Sequence, residues 1–413
     1  MKRKNTGFLI FIFAVVLFVL SVVSISAHVE NRGKYGKLKI FSDVLATIEK
    51  QYVKDVNDKE LIESAIKGMV SSLDPHSSYM SEDEFKELEV LTKGQFGGIG
   101  IEITIKNKLL TVISPIEDTP AYRAGVKAGD VILSINGKST LGMPLKEVVK
   151  LLRGKPQTKV KITVSREGIK KPIDITIVRD IIHIKSVKYE EISPKIGYIH
   201  ILQFQDGTAK EVKRVLKRFS GKIEGLIIDL RNDPGGLLSE AIETADLFIT
   251  DGVIVSTKGR VKTQDKIYYA KNSGDEPTYP IVVLINGGSA SASEIFAGCL
   301  QDHRRAIIMG TKSFGKGSVQ TIFPMEDGSA LSLTTAEYYT PSGRCIQALG
   351  ITPDIYVPQG KLEIKESKVL REENLPHHLE ALKKLKTKAE RVEDYQLSRA
   401  IGLLRAIEII EHK

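Results

Sequence analysis

Hydrophobic and polar positions follow three textures along this chain, and the changes between them mark its organisation. From Phe8 to Ala27 the only polar residues are Ser21, Ser24 and Ser26, and Lys2, Arg3 and Lys4 come just before. A basic start followed by an apolar run of about 20 residues reads as an export signal or a membrane-spanning helix. Ala27 suits the last position before a cleavage, but Ile25 is not small, which favours an uncleaved anchor over a signal peptide in residues 1–30. In either case the rest of the chain is expected outside the cytoplasm, in a periplasm or cell envelope, and the favoured uncleaved reading anchors it in the inner membrane by residues 8–27. Next, Phe41, Val44, Leu45 and Ile48 recur at i, i+3, i+4 and i+7, one face of an amphipathic helix. A second helix is predicted from Asn57, with Glu60 three residues on as in a capping box, through Ile62, Ile66 and Met69. Residues 31–90 thus read as a helical region whose apolar faces suit the rest of the chain or a second protomer, so a homodimer is one expectation.

The period then shortens to two. A Gly-rich patch from Gly94 to Gly100 opens a strand through Ile101, Ile103 and Ile105, followed by a strand at 110–113 and a turn around Gly125 and Gly129. A strand at 131–135, an Asn136-Gly137 turn, a helix from Leu145 to Leu152 and a strand at 160–164 complete a compact module. On its own the glycine patch is simply a turn. Together with the downstream "AGVKAGDVILSINGK", the segment "GGIGIEI" resembles a PDZ domain of the bacterial kind, over residues 91–176. The resemblance implies that Gly97, Gly98, Ile99, Gly100 and Ile101 bind a peptide's terminal carboxylate and its adjoining strand. Arg153, at the end of the module's helix, is a candidate contact to the core.

Past Ile182, strands and helices alternate. Residues 197–204, 226–230, 281–285 and 306–309 read as strands, with helices over about 237–248 and from Ala292. Residues 177–358 are therefore expected to form an α/β core whose site lies on loops leaving strand ends. The remainder, 359–413, reads as charged surface helices with Leu403, Ile407 and Ile410 at helical spacing. The whole is an α/β multidomain protein.

Composition narrows the functional classes. In 413 residues there are 60 Lys and Arg against 51 Asp and Glu, a net charge of +9 with 27% charged residues, which is an ordinary globular surface. No basic run is interleaved with aromatics and no Cys/His spacing fits a zinc module, so neither nucleic acid nor metal is expected. Cys299 and Cys345 cannot make a disulfide framework and read as small packed hydrophobes, with one bridge left open.

Three loops could carry chemistry. Asp229 to Leu237 leaves a strand and enters a helix, with Gly235-Gly236 freeing the backbone to approach a ligand. Asn286 to Glu294 does the same, and there Ser291 reads either as a helix cap paired with Glu294 or as an exposed nucleophile with the next amide as an oxyanion donor. Gly310 to Gln320 nearly spells a phosphate loop, but Gly317 stands where the magnesium-binding hydroxyl belongs, which argues against a nucleotide. In the right order, "DLRNDPGG", "NGGSASASEI", "GTKSFGKGSVQ" and "YYTPSGRCIQALGITPDI" resemble the carboxyl-terminal processing (tail-specific) proteases, Ser-Lys serine peptidases with an inserted PDZ domain. The resemblance covers about residues 38–358 plus the tail. It implies Ser291 as nucleophile, Lys316 as general base and Gln320 as the residue that orients the lysine. It further implies Gly235, Gly236 and Ala292 at the oxyanion region, and a supporting acidic position at Asp302. No cofactor is implied.

The chemistry stands beside the name. A Ser hydroxyl needs a neighbour to take its proton, and Lys does so only when neutral, which calls for an apolar setting that Phe314 and Val319 are suited to provide. A Ser-His-Asp relay through His303 and Asp302 competes, but adjacent helical residues point apart. His76, in "LDPHSS", reads as part of a turn. The expected function is a serine endopeptidase that cleaves exported proteins near apolar C-termini, with the PDZ module binding the tail and gating the site. A non-catalytic PDZ binding protein in which Ser291 is only a cap is the alternative class.

Overall fold

The computed structural model describes residues 36–360 and 394–411. The apolar run 8–27 lies outside them, as does most of the charged stretch after Gly360, and no helix among the described residues is long and apolar enough to cross a membrane. The chain divides into two compact units between Tyr79 and Met80.

In the first unit, α1 covers residues 36–51 and α2 spans Asp58–Ser71. Asn57 caps α2 as its sequence predicts, its side-chain oxygen accepting from the Lys59 N–H at 3.0 Å and the Glu60 N–H at 3.4 Å. Phe41, Val44, Ile62 and Met69 stay exposed, so the stripes are amphipathic but largely uncovered. Beyond α2 the Asp74 carboxylate accepts from the N–H groups of His76 and Ser77, both at 2.8 Å, which makes the His76 segment a side-chain-closed turn. A short strand, β1 (Ser78–Met80), lies at the division.

The second unit begins with α3 (Glu82–Lys93), started by a capping box between Ser81 and Glu84. After β2 (Gln95–Gly98) comes a small module: β3 (Ile101–Lys106), β4 (Leu109–Pro115), the one-turn α4 (Pro120–Arg123), β5 (Val131–Ile135), β6 (Lys138–Ser139), α5 (Leu145–Leu152), β7 (Lys159–Ser165) and β8 (Ile173–Val178). Its antiparallel sheet runs β3-β4-β5-β7-β8, with β6 hairpinned onto β5. Positive φ at both Asn136 and Gly137 makes that hairpin the primed turn the Asn-Gly pair announces. Ile132, Ile135, Val148, Val160, Ile162 and Val164 give the module a hydrophobic core of its own. The chain leaves through β9 (Asp180–His183), which pairs antiparallel with β2, Gly98 opposite Asp180. This two-stranded ribbon is the module's neck.

The remainder is built on β10 (Val187–Ser193), β11 (Ile196–Ile201), α6 (Thr208–Phe219), β12 (Gly225–Asp229), α7 (Leu238–Asp246), β13 (Val253–Gly259), β14 (Lys266–Tyr269), β15 (Ile281–Ile285), α8 (Ala292–Asp302), β16 (Ile307–Gly310), β17 (Ser318–Pro324), β18 (Ala330–Tyr339), β19 (Ile355–Tyr356) and α9 (Tyr395–Glu411). The central sheet has the order β10-β11-β12-β15-β16-β19 and is parallel from β11 onward. Its apolar runs are continuous because both faces are covered. Leu226, Ile228, Ile281, Val283 and Ile285 point into one layer with Phe204, Phe248 and Phe296, while Ile227, Val282 and Leu284 point into a second.

The second layer corrects one expectation. The end of the chain is no surface helix: Leu397, Ala400, Ile401 and Leu404 of α9 are buried in it, whereas Ile410 is exposed. An antiparallel sheet of β13, β14, β17 and β18, which the sequence does not announce, stands beside the central one.

Candidate active site

Strands β12, β15 and β16 are adjacent and parallel, with Asp229 opposite Leu284 and Ile285 opposite Gly310. The three loops singled out in the sequence therefore leave the same edge of the sheet, at the carboxyl ends of neighbouring strands, where open α/β sheets place their sites.

The first two loops are stitched together by short polar side chains. Asn286 accepts the Asn232 N–H at 2.9 Å and donates to the Asn232 side chain at 3.0 Å. The Ser289 hydroxyl reaches the Leu230 carbonyl at 2.7 Å, and the Asp233 carbonyl accepts from the Ala290 N–H and the Ser293 hydroxyl, each at 3.0 Å. Gly235 and Gly236 sit where no side chain fits. A Cβ on Gly236 would stand 2.1 Å from the Phe204 carbonyl oxygen, and one on Gly235 2.9 Å from Ser291 Cβ, both at positive φ.

Ser291 itself has φ 55° and ψ −112°, a strained conformation for a non-glycine residue, at the start of the buried helix α8. The adjoining carboxylate binds it. Glu294, fully buried, accepts on Oε2 from the Ser291 N–H and the Lys316 N–H, both at 2.8 Å, and on Oε1 from the Ser313 hydroxyl at 2.5 Å and the Gly315 N–H at 2.6 Å. One oxygen thus holds the backbones of Ser291 and Lys316 together across 25 residues of sequence. The lysine loop is closed from its other side by the Ala348 N–H on the Gly315 carbonyl at 2.9 Å and by Gln347 Oε1 on the Gly317 N–H at 2.9 Å.

The oxyanion candidates separate. The Gly235 N–H is turned inward onto Asp233 Oδ1 at 2.8 Å, which removes it as a donor to a ligand. The N–H groups of Gly236 and Ala292 have no acceptor among the described residues. Of the expected apolar screen, Phe314 is corrected, being 61% exposed, whereas Val319 packs against the main core; the lysine loop is otherwise held by Glu294 of α8 and by the 346–351 segment. Gln320 lies on β17 and donates to Thr334 Oγ1 at 2.8 Å and Ser318 Oγ at 3.3 Å. Asp302 is at the far end of α8, where it accepts from the Ser342 N–H at 2.9 Å and Arg344 at 3.0 Å and so fixes the loop after β18. His303 is bonded to the Val253 carbonyl at 2.7 Å, which removes the Ser-His-Asp arrangement. Gly310 to Gly317 runs into the strand β17 rather than a helix, unlike a phosphate loop. Both cysteines are free, and burial pushes the Cys299 thiol far above its ordinary range.

Sequence reasoning missed a network behind the first loop. Asp229, buried at the end of β12, is bound by the Arg231 guanidinium at 2.6–3.1 Å and by the Tyr198 hydroxyl at 2.8 Å. Arg231 continues to Gln396 at 3.0 Å and Asp394 at 2.7 Å, which ties the loop to the start of α9. Burial and the Asp229 charge raise the Tyr198 hydroxyl well above the usual tyrosine range.

In the small module, Gly97 and Gly98 are paired residues of β2, and Ile101 opens β3. Between them Ile99 and Gly100 give their carbonyls to Ala121 at 2.8 Å and Ile116 at 3.0 Å, while their N–H groups meet no acceptor among the described residues. The Arg153 guanidinium lies 4.6 Å from the centre of the Phe96 ring, on the neck.

Comparison with known proteins agrees with this architecture. The model of peptidase family S41 matches residues 195–357, that of the PDZ domain residues 111–166, and that of the activating protease CtpB N-terminal domain residues 21–84. A "Carboxy-terminal-processing protease" of Bartonella bacilliformis is 49% identical over 365 residues, covering 87% of this chain and 83% of that protein. A "Probable CtpA-like serine protease" of Staphylococcus epidermidis is 39% identical over 375 residues, covering 88% and 75%. Among solved structures, the photosystem II D1 C-terminal processing protease has 27% identity and a TM-score of 0.45, covering 78% of this chain and 92% of that one. The chain belongs to peptidase family S41, as a serine peptidase of the carboxy-terminal-processing group that carries a PDZ domain and acts on polypeptides.

Proposed function

We propose that this protein is an endopeptidase that cuts exported proteins near their C-termini with a Ser291-Lys316 dyad. The observation that carries the reading is the shared acceptor: Glu294 Oε2 takes both the Ser291 and the Lys316 backbone N–H, so the two loops have one position relative to each other. In the reaction, neutral Lys316 takes the Ser291 hydroxyl proton as Oγ bonds to the scissile carbonyl carbon. The oxyanion is received by the Gly236 and Ala292 N–H groups. The C–N bond then breaks and the lysine returns the proton to the leaving amine. Water, deprotonated by the same lysine, hydrolyses the acyl ester and restores Ser291. Gln320 steadies this lysine from β17 without adding charge, and Asp302 supports the site through the loop after β18.

The PDZ module takes the substrate's apolar tail, its carboxylate on the N–H groups of Ile99 and Gly100 and its strand beside β3. Gating is supported by how lightly the module is held. Apart from the neck, α5 meets α3 through exposed ion pairs, Lys150 to Asp83 at 3.0 Å and Lys146 to Glu87 at 3.9 Å, of the kind that contributes little. Arg153 on Phe96 is the contact that would register its movement. Residues 8–27 place the enzyme at the outer side of a membrane.

Separate Ser291→Ala and Lys316→Ala variants test the dyad. Each should lose about a thousandfold or more in kcat on an unstructured polypeptide with an apolar C-terminus. Parental turnover in either variant would refute it.

A further inference from the structure

Asp233 is fully buried in the loop between β12 and α7, and only half of its carboxyl is used. Oδ1 accepts the Gly235 N–H at 2.8 Å, while Oδ2 meets no donor. A buried carboxylate with an idle oxygen and no counter-charge is disfavoured against its protonated form. The charged groups of the surrounding elements are engaged elsewhere. On its own loop Asp229 and Arg231 are paired. On α8 the Glu294 carboxylate is filled by the lysine loop, and on α7 Glu240 accepts from the Gly207 and Ala209 N–H groups. Burial pushes Asp233 up to about 7, opposed by the Gly235 N–H and the nearby Ser293 hydroxyl.

Its position gives that proton a consequence. The carboxyl holds the peptide N–H of Gly235, one peptide unit from the Gly236 N–H, and a Cβ on Gly235 would stand 2.8 Å from the Ala292 nitrogen. These are the two donors assigned to the oxyanion. We infer that Asp233 is a positioning residue that must hold its proton while the oxyanion forms, an inference that rests on the Ser291 reading above. Ionised, it sets a negative charge beside the developing oxyanion, and it tightens its pull on the peptide unit of the Gly235 N–H, which adjoins the one that carries the Gly236 donor. Protonated, it does neither. Rising pH therefore has opposite effects at the two ends of the site: it frees the lysine base and it charges Asp233.

The test measures kcat/KM of the full chain on an unstructured polypeptide from about pH 5.5 to about pH 9.5 for the parent, Asp233→Asn and Ser291→Ala. Asn keeps an oxygen for the Gly235 N–H and cannot ionise. The ratio of Asp233→Asn to parent should rise about tenfold or more between pH 6 and pH 9 as the parent's alkaline decline disappears. Profiles that superimpose after scaling overturn the inference and leave the Ser291 reading standing; activity retained in Ser291→Ala overturns that reading instead. Unfolding supplies a second measurement that needs no turnover. Because the folded value lies above the ordinary 3.8, Asp233 stabilises the fold fully below about pH 4, and that contribution is lost as pH rises through about 7. The melting temperature of Asp233→Asn minus that of the parent should therefore increase from pH 4 to pH 8, and a constant difference overturns the inference.

Discussion

At the scale of single residues, the site depends on Glu294 as much as on the groups that react. Both of its oxygens accept, and all four partners are donors: the N–H groups of Ser291, Gly315 and Lys316 and the hydroxyl of Ser313. Glu294→Gln keeps the shape but replaces one accepting oxygen with an NH2 that faces two donors. Buried donors left without an acceptor cost about 1–3 kcal/mol each, so the variant should lose about 3 kcal/mol or more of stability, read by denaturant unfolding. It should also lose about a hundredfold in kcat/KM, since shifting either loop by 1 Å spoils the alignment of Ser291 with Lys316. An active, stable Glu294→Gln enzyme would remove the carboxylate from the account. In the sequence Glu294 is visible only as the capping partner of Ser291, three residues away. Its other partners lie 19 to 22 residues on, a distance at which spacing carries no information. The strain at Ser291 is invisible for a related reason, since it is imposed by the packing of α8 against the first loop. Asp233 shows the same limit: an Asp in a turn reads as solvated until its burial is known.

At the scale of elements, what could be read depended on whether a local pattern had one interpretation. The parallel strands did, because Ile281 to Ile285 is apolar at every position and a run that short needs cover on both faces. The Asn136-Gly137 hairpin and the cap at Asn57 did as well. The strands β13, β14, β17 and β18 mix Thr, Ser, Lys and Tyr with apolar residues; β13 pairs locally with β14 and β17 with β18, but what joins the two pairs into one sheet is β13 beside β18, far along the chain. Helix α9 was legible as a helix, but its sequence is apolar on several sides, and only the sheet it meets selects the stripe through Leu397, Ala400, Ile401 and Leu404. This choice is measurable. Leu404 is buried over Gly225, where a Cβ would stand 3.3 Å from Leu404 Cδ1, so Leu404→Ala should cost about 2–5 kcal/mol. Ile410→Ala, on the exposed side, should change stability by less than about 0.5 kcal/mol. Chemical denaturation of both compares the two stripes directly, and equal losses would mean that α9 does not dock as described.

At the scale of the whole molecule, the PDZ module is an insertion with a separate core, and the chain enters and leaves it through one two-stranded ribbon. Its buried residues form one cluster and those of the peptidase sheet form others, with the β2-β9 ribbon joining them. Gly98 stands opposite Asp180 in that ribbon, so the chain can be closed there by a two-residue Asn-Gly turn after residues 99–179 are removed. The shortened protein keeps both apolar layers of the central sheet and all three loops of the site, and it should unfold in a single cooperative transition. Its specificity should change in one respect. The parent should prefer a polypeptide with a free apolar C-terminus over the same chain with that carboxylate amidated by about tenfold in kcat/KM, a difference worth about 1.4 kcal/mol at the Ile99-Gly100 loop. In the shortened enzyme the two substrates should be cut at equal rates. A preference that survives the excision would place recognition of the tail in the peptidase core, and a shortened chain that does not fold would show that the module is structural to the core.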